Sequence, residues 1–284
     1  MSDALRVNIS GITTILVMAI AIPVKALEVN ISPKTPQLGD TISVAIHTDD
    51  SSVTPTVTVD GKQYPVFDMG NSYRALIPTS PLNSPGKMTL QVNGDGKTSN
   101  LGVWLKNRVF PLQRIWLSGK ASRPATQTEL DRVSEFKNLV TPTKMWQGAL
   151  VAPSTARVST VFGVRRYYNG VFANDYYHRG VDYAGAAGSS VVAPAAGTIR
   201  LIGEEDQDFH VHGNTIGIDH GQGVVSILIH LQDIYVQEGD VVEAGQKIAT
   251  IGNTGASTGP HLHWGFYVHG VSVDPVPWRF QGID

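Results

Sequence analysis

Short runs in which apolar and polar residues alternate, separated by glycine, proline and asparagine, recur along most of this chain. In residues 41–47 every second side chain is apolar, which is the period of a strand with one buried face. Residues 56–59 and 62–67 flank Asp60-Gly61, and an Asp-Gly loop favours a β-hairpin because it supports positive φ angles. Alternation of this kind predicts an all-β fold.

The strand pattern is interrupted once, and 284 residues are enough for two domains. Residues 27–106 contain several predicted strands and no catalytic constellation, so we expect an immunoglobulin-like β-sandwich there with a structural role. We interpret residues 107–144 as a connector with one helix. The pattern returns in residues 145–284 with more glycine, which predicts a second β domain.

The connector contains one convincing helix, from Thr126 to Leu139. Thr126 and Glu129 match a capping box, in which the first side chain caps the helix and the second reaches back to it. An apolar stripe follows at Leu130, Val133 and Phe136.

A faint internal echo indicates the architecture of the second domain. Residues 192–199 and 236–248 both resemble stretches of lipoyl and biotin carrier domains, which are β-sandwiches with short glycine turns. A carrier would also need an exposed lysine on a hairpin between the two stretches, and residues 201–238 contain none. The echo therefore favours a barrel-sandwich architecture without the carrier function.

The amino-acid composition limits the kinds of partner and site that this chain can have. A formal charge of −2 gives no reason to expect a nucleic-acid partner, since such proteins usually carry a basic surplus. The absence of cysteine excludes thiolate metal sites, cysteine nucleophiles and disulfides, and it leaves histidine and carboxylate ligands available.

The first 26 residues have the pattern of an export signal. Arg6 precedes an apolar run at residues 12–24 that is short for a membrane span, and Val24-Lys25-Ala26 places small residues at a cleavage position. We expect a cleaved signal peptide at residues 1–26, with an uncleaved anchor or a buried strand as the alternatives.

Histidine is concentrated in the second half, where eight of the nine residues lie at or beyond His178. His178 is followed four residues later by Asp182, and both side chains are good zinc ligands. A straight strand would separate them by about 13 Å. We therefore expect the backbone to bend near Gly180 and bring the pair together.

A second pair of histidines, His261 and His263, is spaced like neighbours on one face of a strand. Both imidazoles would then enter one cleft. The glycine-rich residues 252–259 that precede them lack the spacing and the lysine of a phosphate-binding loop, so a nucleotide site is not indicated.

Three segments together resemble the lysostaphin/LytM-type zinc metallopeptidases, a family of peptidoglycan endopeptidases. They are, in the order of the family, Phe162-Gly163-x-Arg165-Arg166, His178-Arg179-Gly180-Val181-Asp182 and Ser257-Thr258-Gly259-Pro260-His261-Leu262-His263. The resemblance covers about residues 145–278. It implies that residues 145–284 form a LytM-type β domain with the barrel-sandwich-hybrid (duplicated hybrid motif) fold.

The resemblance also implies roles for five side chains. His178, Asp182 and His263 would bind Zn²⁺, and His230 and His261 would be catalytic histidines that do not bind the metal. Three protein ligands leave a fourth zinc position open for water and substrate, as a catalytic site requires. One neutral imidazole can take a proton from that water, and the other can hydrogen-bond the developing oxyanion.

The assignment of His230 depends on the segment His230-Leu231, which matches the family. Leu228 stands where the family often has tyrosine, so the packing around His230 departs from the usual pattern.

The implied function is a zinc-dependent endopeptidase that hydrolyses peptide cross-links of bacterial peptidoglycan in the periplasm or cell wall. Its partners would be stem peptides or cross-bridges. One alternative is a catalytically inactive activator of other wall hydrolases, which the complete set of ligands and catalytic histidines opposes. Another is a metalloprotease for glycine-rich proteins, which the sequence does not distinguish from the first.

The remaining histidines have simpler interpretations. His210 and His212 form a second His-x-His pair that could compete for metal, but no acidic residue stands at the family's spacing from them. We expect His220 at a strand end, His269 at a hairpin tip and His47 on the solvent face of a strand.

Overall fold

The structure is a computed structural model that describes residues 27–49 and 53–282. The predicted signal peptide at residues 1–26 lies outside the described residues. None of the helices in the described ranges is long and apolar enough to cross a membrane. The described chain is nearly all β, so the predicted fold class is confirmed.

The first half consists of two antiparallel four-stranded sheets. Their strands are β1 (Glu28–Ser32), β2 (Thr41–His47), β3 (Thr56–Val59), β4 (Lys62–Tyr64), β5 (Phe67–Asp68), β6 (Tyr73–Pro78), β7 (Gly86–Gly94) and β8 (Lys97–Leu105). The sheet orders are β1-β2-β6-β5 and β4-β3-β7-β8. Buried residues from both sheets form one core, for example Val44 and Ala75 from the first and Val57 and Val92 from the second. The two sheets therefore form a sandwich, whose immunoglobulin-like character stays a prediction.

The Asp60-Gly61 hairpin is confirmed, with both residues at positive φ. The strand predicted over residues 62–67 is not continuous. It ends at Tyr64 and resumes at Phe67 in the other sheet. Pro65 explains the break because proline has no backbone N–H to donate to a strand partner.

The connector contains β9 (Leu112–Ile115), a 3₁₀ turn (Gly119–Ser122) and helix α1 (Gln127–Lys137). The Thr126 side chain caps α1 by accepting from the backbone N–H of Glu129, as predicted. The predicted apolar stripe is wrong at Leu130, which is 50% exposed, because this residue lies over a cleft and not over the core. Val133 and Phe136 are buried.

The second half is built around a ten-stranded sheet. Its elements follow as β10 (Arg157–Thr160), β11 (Arg165–Tyr168), β12 (Val171–Phe172), β13 (Gly180–Ala184), β14 (Ser190–Val192), β15 (Gly197–Gly203), β16 (Asn214–Gly221), β17 (Val224–Ile234), β18 (Val241–Val242), β19 (Lys247–Ile251), β20 (His261–Val268), β21 (Val271–Ser272) and α2 (Pro275–Phe280), with a 3₁₀ turn at Glu205–Gln207.

The main path of this sheet is β10-β13-β20-β17-β16-β15-β18, and β14, β19 and β21 pair beside it. The two echoing segments meet in it, since Gly197 of β15 pairs with Val242 of β18. Strands β11 and β12 form a separate small sheet with β9, which runs parallel to β11. The connector is thus hydrogen-bonded into the second half of the chain.

The sandwich packs closely on the second half. Leu76 of β6 belongs to the large core of the C-terminal domain, where it is fully buried. The Trp278 indole N–H of α2 donates to the Thr41 hydroxyl of β2 at 3.3 Å. Buried contacts of this kind join the two halves into one packed unit.

His269 occupies the predicted hairpin tip between β20 and β21 and reaches across this interface. Its ring stacks on Phe67 and tilts against Tyr64, with both pairs of ring centroids 6.3 Å apart. Neither of its buried ring nitrogens has a hydrogen-bond partner among the residues that the structure describes. Burial, helped by the charge of Lys62, lowers the pKa of His269 to about 4.

This low pKa predicts that the interface weakens in mild acid. Because the unfolded chain takes up the His269 proton near pH 6.5 and the folded chain only near pH 4, stability contributed by His269 is lost as the pH falls through this window. Asparagine suits the positive φ of this position. Between pH 7 and pH 4.5 we expect the free energy of unfolding to fall by about 1–3 kcal/mol less in His269→Asn than in the parent chain. Denaturant unfolding followed by tryptophan fluorescence measures the difference. Equal losses in the two proteins, with exposed His47→Asn as control, would contradict this prediction.

Candidate metal centre

Three side chains converge where β13 and β20 lie side by side. His178 lies two residues before β13, Asp182 lies within it, and Asp182 is directly opposite His263 of β20. The predicted closeness of His178 and Asp182 is confirmed. Glycine is needed at residue 180 for close packing and not for the bend that the sequence suggested. A Cβ atom there would lie 2.2 Å from the carbonyl oxygen of Trp264. Glycine lets the two strands approach.

The converging atoms form a small triangle. His178 Nε2 lies 2.9 Å from Asp182 Oδ1 and 3.0 Å from His263 Nδ1, and His263 Nδ1 lies 2.8 Å from Asp182 Oδ1. Ligands of a tetrahedral zinc ion are about 3.3 Å apart, so a slight widening would admit one ion. Two imidazoles and one carboxylate are also a donor set typical of catalytic zinc. These residues therefore fit the metal that the resemblance implies. Among the described residues, these clustered histidine and carboxylate side chains lie close enough together to hold a metal ion.

Neighbouring groups prepare the three atoms for a cation. The Nδ1 of His178 lies 2.8 Å from the carbonyl oxygen of Val161, an arrangement that protonates Nδ1 and leaves the Nε2 lone pair for the triangle. Burial lowers the pKa of His263 to about 4, so its imidazole is neutral. Burial opposes ionisation of Asp182, but its close contacts with the imidazoles of His178 and His263 hold its pKa well below the usual value.

Arg166 supports Asp182 from the other side. Its guanidinium lies 3.6 Å from the second carboxylate oxygen of Asp182 and donates to the Gln113 side chain of β9 at 3.0 Å. Gln113 of the connector is therefore hydrogen-bonded to Arg166, the side chain that lies beside the candidate ligand Asp182.

Two further imidazoles, His230 and His261, stand beside the triangle. Their ring centroids are 4.7 Å apart. The Nδ1 of His230 lies 2.9 Å from the carbonyl oxygen of Thr254, and that of His261 lies 2.8 Å from the carbonyl oxygen of Gly259. In both rings the carbonyl oxygen accepts a hydrogen bond from Nδ1–H, so Nε2 is left unprotonated as a proton acceptor.

His230 sits in an unusual backbone conformation with a φ of 64°. It lies in β17 directly after Ile229, the last residue of this strand that pairs with β20. Burial, followed by the nearby His261 and His263, holds the pKa of His230 well below its usual value. A buried, neutral imidazole in a rarely adopted conformation is typical of a functional position.

All five predicted site residues line one cleft of about 800 Å³. Part of its wall comes from the connector, which contributes Gln113, Ile115, Leu117, Leu130 and Lys137. Sequence reasoning missed this wall because nothing in the connector's local pattern distinguishes it from an ordinary linker.

Glu129 is another residue whose role the sequence did not reveal. Its carboxylate is fully buried and accepts from the backbone N–H groups of Val211 and His212 at 3.0 and 2.7 Å. The His212 ring nitrogen Nδ1 lies 2.6 Å from the same carboxylate. Since the carbonyl oxygen of His212 accepts from the backbone N–H of His230, Glu129 ties helix α1 to the strand that carries His230.

The other histidines take structural positions. The His212 ring is held by Glu129, and His210 is not among the residues that converge as a metal group in the described ranges. His220 is buried at the end of β16, against the carbonyl oxygen of Ala196 and the Ser226 hydroxyl. His47 is exposed at the end of β2.

Sequence comparisons identify relatives of the second half. Residues 176–275 match the family model described as Peptidase family M23. The peptidoglycan DD-endopeptidase ShyC of Vibrio cholerae is 36% identical over 119 residues, which are 42% of this chain and 26% of that protein. The murein hydrolase activator NlpD of Escherichia coli is 32% identical over 141 residues, which are 50% of this chain and 33% of that protein. The chain spans about a quarter to a third of the length of these curated relatives.

The fold extends further than the sequence similarity. A crystal structure of a Pseudomonas aeruginosa protein assigned to peptidase M23 superposes with a TM-score of 0.62 at 23% identity. The superposition covers 89% of this chain and 97% of the other. The fold of most of this chain is therefore shared with that protein.

Proposed function

Since residues 176–275 of this chain belong to peptidase family M23, we propose that the protein is a zinc-dependent endopeptidase that hydrolyses peptide cross-links of bacterial peptidoglycan. One observation carries the proposal. The candidate ligands His178, Asp182 and His263 converge in the same cleft as His230 and His261, whose Nδ1 contacts leave Nε2 unprotonated in both rings. Three metal ligands beside a proton-accepting imidazole supply what water-driven peptide hydrolysis needs.

The chemistry is divided between the metal and the imidazoles. Zn²⁺ held by His178, Asp182 and His263 would supply Lewis acidity towards water and towards the scissile carbonyl. The free Nε2 of His230 or His261 accepts a proton from the attacking water. The same imidazole can return it to the leaving amine, and once protonated it can also hydrogen-bond the developing negative charge.

Peptidoglycan lies outside the cytoplasm, so the proposed substrate requires export to the periplasm or cell wall. The signal-like residues 1–26 support this part of the proposal. The relative ShyC, whose name states a peptidoglycan DD-endopeptidase, supports the substrate.

The second candidate function is an inactive activator of other wall hydrolases, and the similarity to NlpD favours it. The full set of ligands and catalytic histidines weighs against it, since an activator does not need them. A third candidate is the hydrolysis of glycine-rich proteins at the same site.

Digestion of purified peptidoglycan, with the products separated and weighed by mass spectrometry, tests the proposal. The endopeptidase produces un-cross-linked muropeptides, loses this activity on chelation and regains it with zinc. An activator releases no muropeptides alone but stimulates a second hydrolase, and a glycine-specific protease cuts glycine-rich protein while leaving these cross-links intact. Either of the last two results would overturn the proposal.

Glu129→Ala is expected to lower kcat about 10-fold while leaving zinc binding intact. The substitution leaves the N–H groups of Val211 and His212 without their buried acceptor, which loosens the segment that positions His230. Glu129→Gln keeps one acceptor oxygen and should recover part of the loss, mainly in kcat. Exposed Glu135→Ala on the same helix serves as the control. Unchanged turnover in Glu129→Ala would show that α1 has no part in positioning His230.

A further inference from the structure

Two cationic side chains face the cleft without an acidic partner. Lys137 lies in the last turn of α1, and Arg179 directly follows the candidate ligand His178. Both line the cleft and both are partly buried. Within residues 27–49 and 53–282 no carboxylate forms a salt bridge with either, whereas Arg108 pairs with Asp274 and Arg132 with Glu238.

Aromatic rings hold the two head groups in place. The Lys137 ammonium lies 5.5 Å from the ring centroid of Tyr267, and the Arg179 guanidinium lies 5.5 Å from that of Tyr176. The backbone of Arg179 is anchored as well, because its carbonyl oxygen accepts from the Ser272 hydroxyl at 2.9 Å. Both charges are therefore positioned by contacts that do not neutralise them.

The part of the chain that the structure describes supplies no anion paired with these two cations. Burial raises the pKa of Tyr267 to about 12, so its phenol is neutral in the physiological range. Burial first, and then the charge of Arg179, lowers the pKa of Lys137. Two like charges that repel each other in a partly buried wall would be stabilised by an anion that a ligand brings.

We propose that Lys137 and Arg179 form a subsite that binds a free carboxylate of the peptide substrate, beside the candidate metal centre. The proposal rests on the proposed function, which supplies the peptide. A guanidinium fork pairs with a carboxylate through two parallel hydrogen bonds, and an ammonium adds a point charge from a second direction. Apolar residues such as Ile115 and Leu130 line the same cleft, and a less polar lining strengthens such an attraction.

The subsite would give the connector a function in substrate selection. Lys137 comes from α1 and Arg179 from the metal-binding segment, so the two cations meet only when the connector is docked on the C-terminal domain. Substrates with a free carboxylate near the scissile bond would then be preferred over neutral peptides of the same length.

Cross-linked peptide dimers purified from peptidoglycan test the subsite, used with free carboxylates and after conversion of these to amides. In the parent protein we expect kcat/KM to be about 10-fold or more higher for the carboxylate form. This ratio should fall towards one in Lys137→Gln and Arg179→Gln. Arg132→Gln, on the same helix but paired with Glu238, should retain it. Zinc content checks that Arg179→Gln keeps the metal centre.

Calorimetric binding of both dimers to His263→Ala protein supplies a readout that does not depend on turnover. Preferential binding of the carboxylate dimer, lost when Lys137→Gln is added, supports the subsite even if the parent protein proves inactive as an endopeptidase. Cleavage or binding with no preference in the parent protein, or a preference that survives both substitutions, would overturn the subsite while leaving the proposed function standing.

Discussion

Replacing His263 with alanine is expected to remove the metal and reduce peptide hydrolysis to background. His263 supplies one of the three atoms that converge between β13 and β20, and its ring lies 2.8 Å from Asp182. Two remaining ligands hold zinc far more weakly than three, since each is a substantial part of the binding free energy. We expect about one zinc ion per parent chain and close to none in the variant, with a fall in turnover of at least about 10³-fold.

Metal analysis by mass spectrometry, together with muropeptide release, measures both effects. His212→Ala is the matched control because His212 lines the same cleft and belongs to the competing His-x-His pair, yet its ring is held by Glu129. It should retain the metal. Circular dichroism checks that His263→Ala is folded. Full zinc with normal activity in this variant would remove His263 from the ligand set.

The sequence alone predicted which site residues lie together when those residues are close in the chain. Residues two apart in a strand share a face, and this places both His261 and His263 in one cleft. The nearness of His178 and Asp182 followed from their chemistry. Their meeting with His263, 81 residues after Asp182, depends on strand pairing, and only the family resemblance predicted it.

The role of the connector could not be predicted in this way. Glu129 has the spacing of a capping box, and its local pattern gives no sign of a competing partner. In the fold the carboxylate reaches two backbone N–H groups more than 80 residues away, because these would otherwise be buried without an acceptor. Leu130 likewise fits a helical stripe, but the cleft lies beneath it where the core was expected. Long-range contacts decided both positions.

His230→Asn and His261→Ala are expected to keep the metal and lose most turnover. Neither imidazole belongs to the triangle of candidate ligands, and each lines the cleft with its Nδ1 engaged by a carbonyl oxygen, which leaves Nε2 unprotonated. Loss of one proton acceptor should lower kcat roughly 10²–10⁴-fold. Asparagine is used at residue 230 because it tolerates the positive φ there and carries no base, so that a backbone effect is not mistaken for a chemical one.

Zinc content and kcat, measured on the same preparations, separate the two possible roles of these histidines. His210→Ala, whose ring is outside the cleft lining, is the control and should match the parent protein in both quantities. Zinc lost together with activity in His261→Ala would make His261 a ligand. If instead both variants hold zinc and only one of them is slow, that imidazole carries the proton. The other, only 4.7 Å away between ring centroids, then contributes by packing alone.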